Sequence, residues 1–136
     1  MKTNESVENY LETILTLYHK NGHVRSIDIA HELSFSKPSV SVAMKNLREK
    51  NYINIDEGGN ITLTKEGLQI AEGIYERHQI IATALMALGV DEKTAFEDSC
   101  KIEHVISENS FEKIKEHLKK YNSPRSRSGD IDVVLL

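Results

Sequence analysis

The run Ser-Lys-Pro-Ser-Val-Ser at residues 36–41 constrains the fold of this chain more than any other stretch. Proline suits the first position of a helix, because the N–H group that it lacks would have no helical partner there. Pro38 therefore predicts a helix over residues 38–50, and the pattern before it predicts a shorter helix over residues 26–33, capped by Ser26. Two short helices joined by a tight turn are typical of an ordinary helical hairpin or of a helix-turn-helix module.

The outer face of the second helix favours the helix-turn-helix interpretation. The net charge of −4 argues against non-specific binding to nucleic acid, yet residues 37–50 carry four basic side chains against the single acidic Glu49. A basic element on an acidic protein is typical of one DNA-facing surface. Hydroxyl groups can approach base edges, and basic groups hold phosphates. We expect DNA contacts from Ser36, Lys37, Pro38, Ser39, Ser41, Lys45 and Arg48, with Lys45 and Arg48 on phosphates and the three serines nearest the bases.

A two-stranded hairpin is predicted directly after this module. Apolar residues alternate from Ile53 to Leu63 around the turn Glu57-Gly-Gly-Asn60, a pattern that indicates a β-hairpin. The run Thr64-Lys-Glu-Gly67 is expected to close the hairpin and to cap the helix that follows. A helix-turn-helix followed at once by a hairpin is a winged helix.

The first helix is predicted over residues 5–20, with Asn4 or Ser6 as its cap and Gly22 at its end. Three more helices are predicted over residues 65–88, 92–106 and 110–121, with Asp91 capping the second and Ser107 or Asn109 starting the third. These three helices carry more apolar surface than they can bury in one chain, which favours a two-fold homodimer. The expected fold is mostly α, with a winged helix-turn-helix domain over 1–70, a helical dimerisation domain over 71–122, and a linker and short tail over 123–136.

Three side chains that can bind a metal share one face of the helix predicted over residues 92–106. Cys100, Glu103 and His104 lie at i, i+3 and i+4, and such positions are neighbours on a helix. Thiolate, carboxylate and imidazole together suit a divalent first-row transition ion better than Mg²⁺ or Ca²⁺. The alternative is that Glu103 and His104 fall there by chance and that Cys100 is an inert, buried residue.

Composition narrows the class of protein further. No run of about 18 apolar residues could span a bilayer, and the polar start Met1-Lys-Thr-Asn-Glu does not resemble a signal peptide. We therefore expect a cytoplasmic protein with no membrane partner. The single cysteine cannot form an internal disulfide, so its thiol is available as a ligand. A small metalloenzyme is the third class considered, but no His-Glu-x-x-His motif or nucleophile elbow is present, so no enzyme is expected.

Taken in order, five stretches resemble the metal-dependent repressors typified by the diphtheria toxin repressor and the manganese transport regulator. The resemblance runs from about Ser6 to Tyr121 and fits the short, two-domain form, since the third, SH3-like domain of the longer members has no counterpart here. The matching stretches are Val7-Glu-Asn-Tyr-Leu-Glu-Thr-Ile14, residues 36–41, Leu63-Thr-Lys-Glu-Gly67, Tyr75-Glu-Arg-His78 and Cys100-Lys-Ile-Glu-His-Val-Ile-Ser107.

The resemblance implies a metal site on Asn9, Glu12, His78, Cys100, Glu103 and His104. Manganese-type members have Asp and Glu at the positions of Asn9 and Cys100, whereas iron-type members have Met and Cys there. Two ligands of the iron-type ancillary site fall on Ala82 and Phe96, which cannot bind metal, so we expect one site per chain or at most a weak second one. The expected co-repressor is a divalent transition ion, with Fe²⁺ favoured, Mn²⁺ as the alternative, and Zn²⁺, Co²⁺ or Ni²⁺ able to substitute in vitro.

The function implied is transcriptional repression of iron or manganese homeostasis genes. An ion held by ligands of both domains would fix the DNA-binding domains of the homodimer, so that the two recognition helices match a palindromic operator in double-stranded DNA. The alternative is a metal-independent winged-helix regulator in which Cys100 and the histidines are structural. A chelator should abolish operator binding only in the metal-dependent case.

Overall fold

The computed structural model describes residues 4–121, so the predictions for the tail lie outside the described residues. The mostly α fold class is confirmed, with one small hairpin among six helices in the described part. The chain divides into two compact units, Met1–Gly73 and Ile74–Leu136. The elements are α1 Glu5–Asn21, α2 Ser26–Leu33, α3 Lys37–Glu49, β1 Ile53–Ile55, β2 Ile61–Leu63, α4 Lys65–Ala87, α5 Glu92–Val105 and α6 Glu108–Tyr121.

The first unit is a winged helix-turn-helix built on one hydrophobic core. Each element contributes residues that are nearly inaccessible to water, among them Leu11 and Ile14 of α1, Ile29 of α2 and Met44 of α3. Burial of each such side chain contributes about 1.5–3 kcal/mol before the loss of conformational entropy is counted. Most residues on the outer faces of α1, α2 and α3 are polar, and the exposed apolar exceptions are Tyr18, Ile27 and Val42.

Helix ends in this unit follow local chemistry, with one correction. The Asn4 side chain accepts the Val7 N–H at 2.8 Å, and Gly22 ends α1 with a φ of 82°, as predicted. Ser26 was expected to cap α2, but it is the first helical residue and Arg25 is the cap. The reason is that the Asp28 carboxylate reaches back to accept the Arg25 N–H at 2.9 Å, so the helix starts one residue earlier than a cap at Ser26 would give.

The predicted hairpin is present as a short antiparallel pair. Ile53 pairs with Leu63 and Ile55 with Ile61, which places Ile53 and Ile61 in the core. The Ile61 N–H also donates to the Val24 carbonyl at 2.8 Å, so the chain before α2 covers part of the outer edge of β2. The hairpin is thus tied to the helix-turn-helix and is not an independent ribbon.

Thr64 and Gly67 join the hairpin to α4. The Thr64 hydroxyl donates to the Asn51 carbonyl at 2.8 Å and accepts the Gly67 N–H at 3.0 Å, which confirms the predicted cap. Gly67 allows the helix to approach the preceding loop, because a Cβ here would fall on the backbone carbonyl oxygen of Tyr52. Only glycine fits this close contact without moving the backbone.

The second unit consists of the later turns of α4 together with α5 and α6. Asp91 caps α5 as predicted, and Ser107 caps α6 by accepting the Ser110 N–H at 3.0 Å. Because Ser107 is the cap, α6 starts at Glu108, two residues before the predicted start at residue 110. The core of this unit is formed by Ile80, Ile81, Phe111 and Leu118.

Leu88 and Val105 are the most exposed of the large apolar side chains described in the second unit. Leu88 is 81% exposed and Val105 is 78% exposed. This uncovered surface is what the sequence predicted for a chain that associates through its last three helices. None of the helices in residues 4–121 is long and apolar enough to cross a membrane.

Candidate metal centre and DNA-facing helix

Four of the six predicted ligands come together in the second unit. The Nδ1 atom of His78 lies 3.1 Å from Oε1 of Glu103 and 3.8 Å from Sγ of Cys100. The other carboxylate oxygen of Glu103 lies 3.3 Å from Nε2 of His104. The Glu103 carboxylate is therefore held between two imidazole rings, and the thiol lies beside the first of them.

This donor set fits a transition ion. Donor atoms that bind one such ion at about 2.0–2.3 Å lie roughly 3–4 Å apart from one another. The separations of His78 Nδ1 from Glu103 Oε1 and from Cys100 Sγ, 3.1 and 3.8 Å, fall in this range. The mixture of sulfur, nitrogen and oxygen donors disfavours Mg²⁺ and Ca²⁺, which bind oxygen alone.

Ser99 holds His78 in position through hydrogen bonds and was not predicted from the sequence. Its side chain is fully buried, and its hydroxyl donates to the His78 backbone carbonyl at 2.6 Å. The same oxygen lies 3.2 Å from His78 Nδ1. Ser99 therefore joins α5 to α4 at the predicted ligand His78, and its position four residues before Glu103 is the only clue that the sequence offered.

Arg77 is the second supporting residue that sequence reasoning missed. Its guanidinium donates to the backbone carbonyls of Glu103 and Ile106 at 3.1 and 3.2 Å, and to the Glu108 carboxylate at 2.8 Å. It also lies over the Phe111 ring, 5.2 Å from its centre. A cation at the C-terminus of α5 satisfies carbonyls that have no helical partner and complements the helix dipole.

The two positions that cannot bind metal have structural roles. The Phe96 ring packs against the His78 ring with 5.2 Å between centres, and Ala82 is fully buried. The aromatic contact restricts the rotation of His78.

The remaining two predicted ligands lie on α1 in the first unit. Asn9 and Glu12 are both half-buried and are separated by one helical turn. The hydroxyls of Thr13 and Thr16 donate to the backbone carbonyls of Asn9 and Glu12 at 2.8 and 3.0 Å. Their participation in a metal site stays a prediction.

All seven residues predicted to touch DNA are exposed on α3 or at its start. Ser36 is the helix cap, because its Oγ accepts the Ser39 N–H at 3.3 Å and donates to the Ser39 hydroxyl at 2.8 Å. Since Ser39 accepts that bond, its own proton can reach a base or a phosphate. Their contacts with DNA stay predictions, and the outer face also presents Val42 and Asn46, which the sequence analysis did not include.

The hairpin turn is held by polar contacts and carries acidic side chains. The backbone N–H and the side-chain amide of Asn60 bond to the Asp56 carboxylate, and these bonds, with a smaller effect of Arg25, hold the pKa of Asp56 below its usual value. The Arg25 side chain also lies against Gly58 and Gly59. The positive charge of Arg25 therefore partly offsets the negative charge of this turn.

A winged helix-turn-helix joined to a helical unit with a cluster of metal-binding side chains defines the class as metal-responsive DNA-binding proteins. Residues 2–59 match the family described as iron dependent repressor, N-terminal DNA binding domain, and residues 64–126 match iron dependent repressor, metal binding and dimerisation domain. The chain belongs to this family of iron-dependent repressors.

Relatives in bacteria and archaea agree with this assignment. An uncharacterised HTH-type transcriptional regulator of Methanocaldococcus jannaschii is 34% identical over 86% of this chain and 95% of its own length. The HTH-type transcriptional regulator MntR of Bacillus subtilis is 30% identical over 95% of this chain and 91% of its own length.

Solved structures show the same fold. The manganese regulator SloR is 28% identical with a TM-score of 0.72, and the match covers 88% of this chain and 55% of that one. IdeR from T. acidophilum shares the fold at 24% identity and a TM-score of 0.73, over 81% of this chain and 52% of that one. This chain therefore spans about half the length of these two proteins.

The family assignment confirms three predictions made from the sequence. The chain is a metal-dependent transcriptional repressor with a DNA-binding domain and a dimerisation domain, and its family consists of transcriptional regulators and not of enzymes. The metal-independent alternative is not favoured.

Proposed function

We propose that this protein represses metal homeostasis genes when a divalent ion binds Asn9, Glu12, His78, Cys100, Glu103 and His104. The observation that carries this proposal is the buried Glu103 carboxylate, only 2% exposed, with an imidazole on each oxygen and a thiol beside the first imidazole. A buried carboxylate is costly unless it is paired. The arrangement concentrates metal-binding groups where an ordinary helix core would have apolar side chains.

Each residue of this set has a distinct task. Glu103 supplies the charged oxygens, His78 and His104 supply neutral nitrogens, and Cys100 supplies a thiolate. Glu12 and Asn9 would add oxygen donors from the DNA-binding domain. A bound divalent cation contributes positive charge that neutralises these carboxylates and lets ligands of both domains share one centre. DNA and metal then strengthen each other's binding by the same factor, typically 5–150-fold.

On the DNA side, α3 would enter the major groove of each half-site. Lys45 and Arg48 are exposed on this helix and would hold phosphates, while Ser39 lies at its N-terminal turn, where bases are commonly read. A homodimer presents two such helices to a palindromic operator with half-sites about 34–36 Å apart. A repressor acts where the chromosomal DNA is, so the proposed location is the cytoplasm.

The proposed physiological ion is Fe²⁺, with Mn²⁺ as the alternative. The Cys100 thiolate is softer than a carboxylate, and Asn9 offers a neutral oxygen, so both substitutions disfavour a hard ion that depends on charged oxygen. The proximity of Cys100 Sγ to His78 Nδ1, 3.8 Å, supports its role as a ligand. Mn²⁺ remains the alternative because Glu12 is an additional carboxylate and because the similar protein SloR is named as a manganese regulator.

The test is metal-dependent DNA binding by matched carboxylate variants. Duplex sites are first selected from a randomised pool with the metal-loaded protein, and binding is then followed by fluorescence anisotropy during anaerobic titration with Fe²⁺ or Mn²⁺. We expect Glu103→Gln to weaken metal activation by at least tenfold, because it removes the charge while keeping a similar shape. Glu97→Gln is the control, since Glu97 is exposed on the same helix.

Two further measurements complete the experiment. Circular dichroism should show that Glu103→Gln stays folded, and isothermal titration should show that its metal affinity falls in the absence of DNA. Equal metal activation of wild type and Glu103→Gln would exclude Glu103 from the site. Tight operator binding by the wild type in the presence of chelator would contradict metal dependence altogether.

A further inference from the structure

Val42 lies at the centre of the exposed face of α3. The buried residues of this helix are Val40, Met44 and Leu47, and at about 100° per residue Val42 lies roughly 160–220° around the helix from each of them. Val42 is 61% exposed. It therefore points directly away from the protein core and contributes little to folding.

The surroundings of Val42 on this face are polar. Ser39 precedes it by nearly one turn, Asn46 follows it by just over one turn, and the basic residue Lys45 lies on its flank. Ser39 and Asn46 can hydrogen-bond to base edges, and Lys45 can hold a phosphate. Val42 is the one residue at the centre of this face that offers neither a hydrogen bond nor a charge.

Single exposed apolar residues are common and need no explanation by themselves. The position of Val42 distinguishes it from other exposed apolar residues, because the exposed face of the recognition helix is the face that enters the major groove. The groove presents donors and acceptors on every base pair, and its one apolar group is the 5-methyl of thymine. A valine against any base leaves polar groups of that base without partners, and only thymine offers a methyl contact in return.

We propose that Val42 reads a thymine in each half-site through van der Waals contact with the 5-methyl group. This inference rests on the DNA-binding function of the family and identifies a specificity-determining residue of the same surface. Val42 then determines which base pair is preferred opposite the middle of the recognition helix. The flanking polar residues determine the register of the helix on the DNA and the affinity of binding. Replacement of Val42 should change sequence preference at that position alone.

The test compares thymine with uracil, which lacks only the methyl group. Sites are selected from randomised duplex DNA at saturating metal with wild type and with Val42→Ala, and we expect a symmetrical thymine that the variant no longer selects. Uracil at this position should weaken wild-type binding about fourfold per half-site and about fifteenfold when both half-sites are changed, the value of one buried methyl group per site. Val42→Ala should bind the thymine and uracil duplexes within twofold of each other.

Two controls make the result specific. Ile27→Ala removes a partly exposed apolar side chain from α2 and should keep the wild-type preference for thymine over uracil. Uracil at other thymines of the selected site should have a smaller effect than uracil at the symmetrical position. The proposal is wrong if wild type binds the uracil duplex as well as the thymine duplex, or if Val42→Ala keeps the discrimination. Either result would leave metal-dependent repression intact, because metal-stimulated binding to the selected site is measured in the same titration.

Discussion

Replacement of Arg77 by Ala should destabilise the second unit far more than the loss of one surface ion pair. The Arg77 side chain is 19% exposed, and its guanidinium bonds the carbonyls of Glu103 and Ile106, the carboxylate of Glu108 and the face of Phe111. Hydrogen bonds from a charged donor contribute about 1.5–3 kcal/mol each, and a cation–π contact contributes about 0.5–1 kcal/mol. The bond to Glu108, which is 75% exposed, contributes at most about 1 kcal/mol.

Water can replace part of what Arg77 supplies, because the carbonyls lie at the end of a helix. We therefore expect Arg77→Ala to lower the free energy of unfolding by about 3 kcal/mol, less than the sum of the separate contacts. Arg77→Lys keeps the charge but not the planar fork, so it should recover less than half of that loss. Glu108→Ala is the matched control, because it removes only the exposed ion pair and should cost about 1 kcal/mol or less.

Urea denaturation of the metal-free protein, followed by circular dichroism, measures these differences. Metal affinity provides a second measurement, because Arg77 holds the backbone of Glu103 and its loss should weaken metal binding by several-fold. If Arg77→Ala is no less stable than Glu108→Ala, water satisfies the carbonyls at no cost. The role assigned to Arg77 would then be wrong.

Three further predictions test other parts of the molecule. Gly67→Ala should destabilise the protein by about 1–3 kcal/mol, because the new methyl group meets the backbone carbonyl of Tyr52. Gly73→Ala, in open space on the same helix, should stabilise the protein by about 0.5–1 kcal/mol. Equal effects of the two changes in thermal unfolding would contradict this. Asn9→Asp combined with Cys100→Glu should shift activation from Fe²⁺ towards Mn²⁺ without changing the selected operator, and a wild type that already responds to lower free Mn²⁺ than Fe²⁺ would show that the iron assignment is wrong. Lys45→Ala should weaken binding to all DNA sequences alike and reduce the log–log salt slope by about 0.9, so a loss confined to the operator would mean that Lys45 reads sequence.

Helix starts were predictable wherever one side chain alone decided them. Asn4, Thr64 and Asp91 each accept a backbone N–H three residues ahead, a contact that four consecutive residues are enough to specify. Ser26 was a wrong choice because Asp28 competes for the same helix end by accepting the N–H of the residue before Ser26. A charged carboxylate makes the stronger bond, so the boundary moved by one residue.

The candidate site was predictable only to the extent that it lies within one helix. Cys100 and Glu103 share a face through helical spacing alone, but His78 comes from another helix and was found only through the family resemblance. Arg77 and Ser99 were missed because both bond to backbone carbonyls, whose positions depend on how helices pack. No pattern of residue types in the sequence reports where a distant carbonyl will lie.

Glu103 connects the folding of the second unit to its proposed function. A carboxylate that is 2% exposed must have partners, and His78 and His104 supply them. The imidazoles that offset the cost of burying the Glu103 carboxylate are therefore also the groups proposed to bind metal with it. Selection for a stable fold and selection for a metal site would favour the same residues. Glu103→Gln separates the two requirements, because an amide can keep hydrogen bonds to the imidazoles but cannot neutralise a cation. A variant that remains as stable as wild type and yet loses metal affinity would show that the charge of Glu103 serves metal binding and not folding.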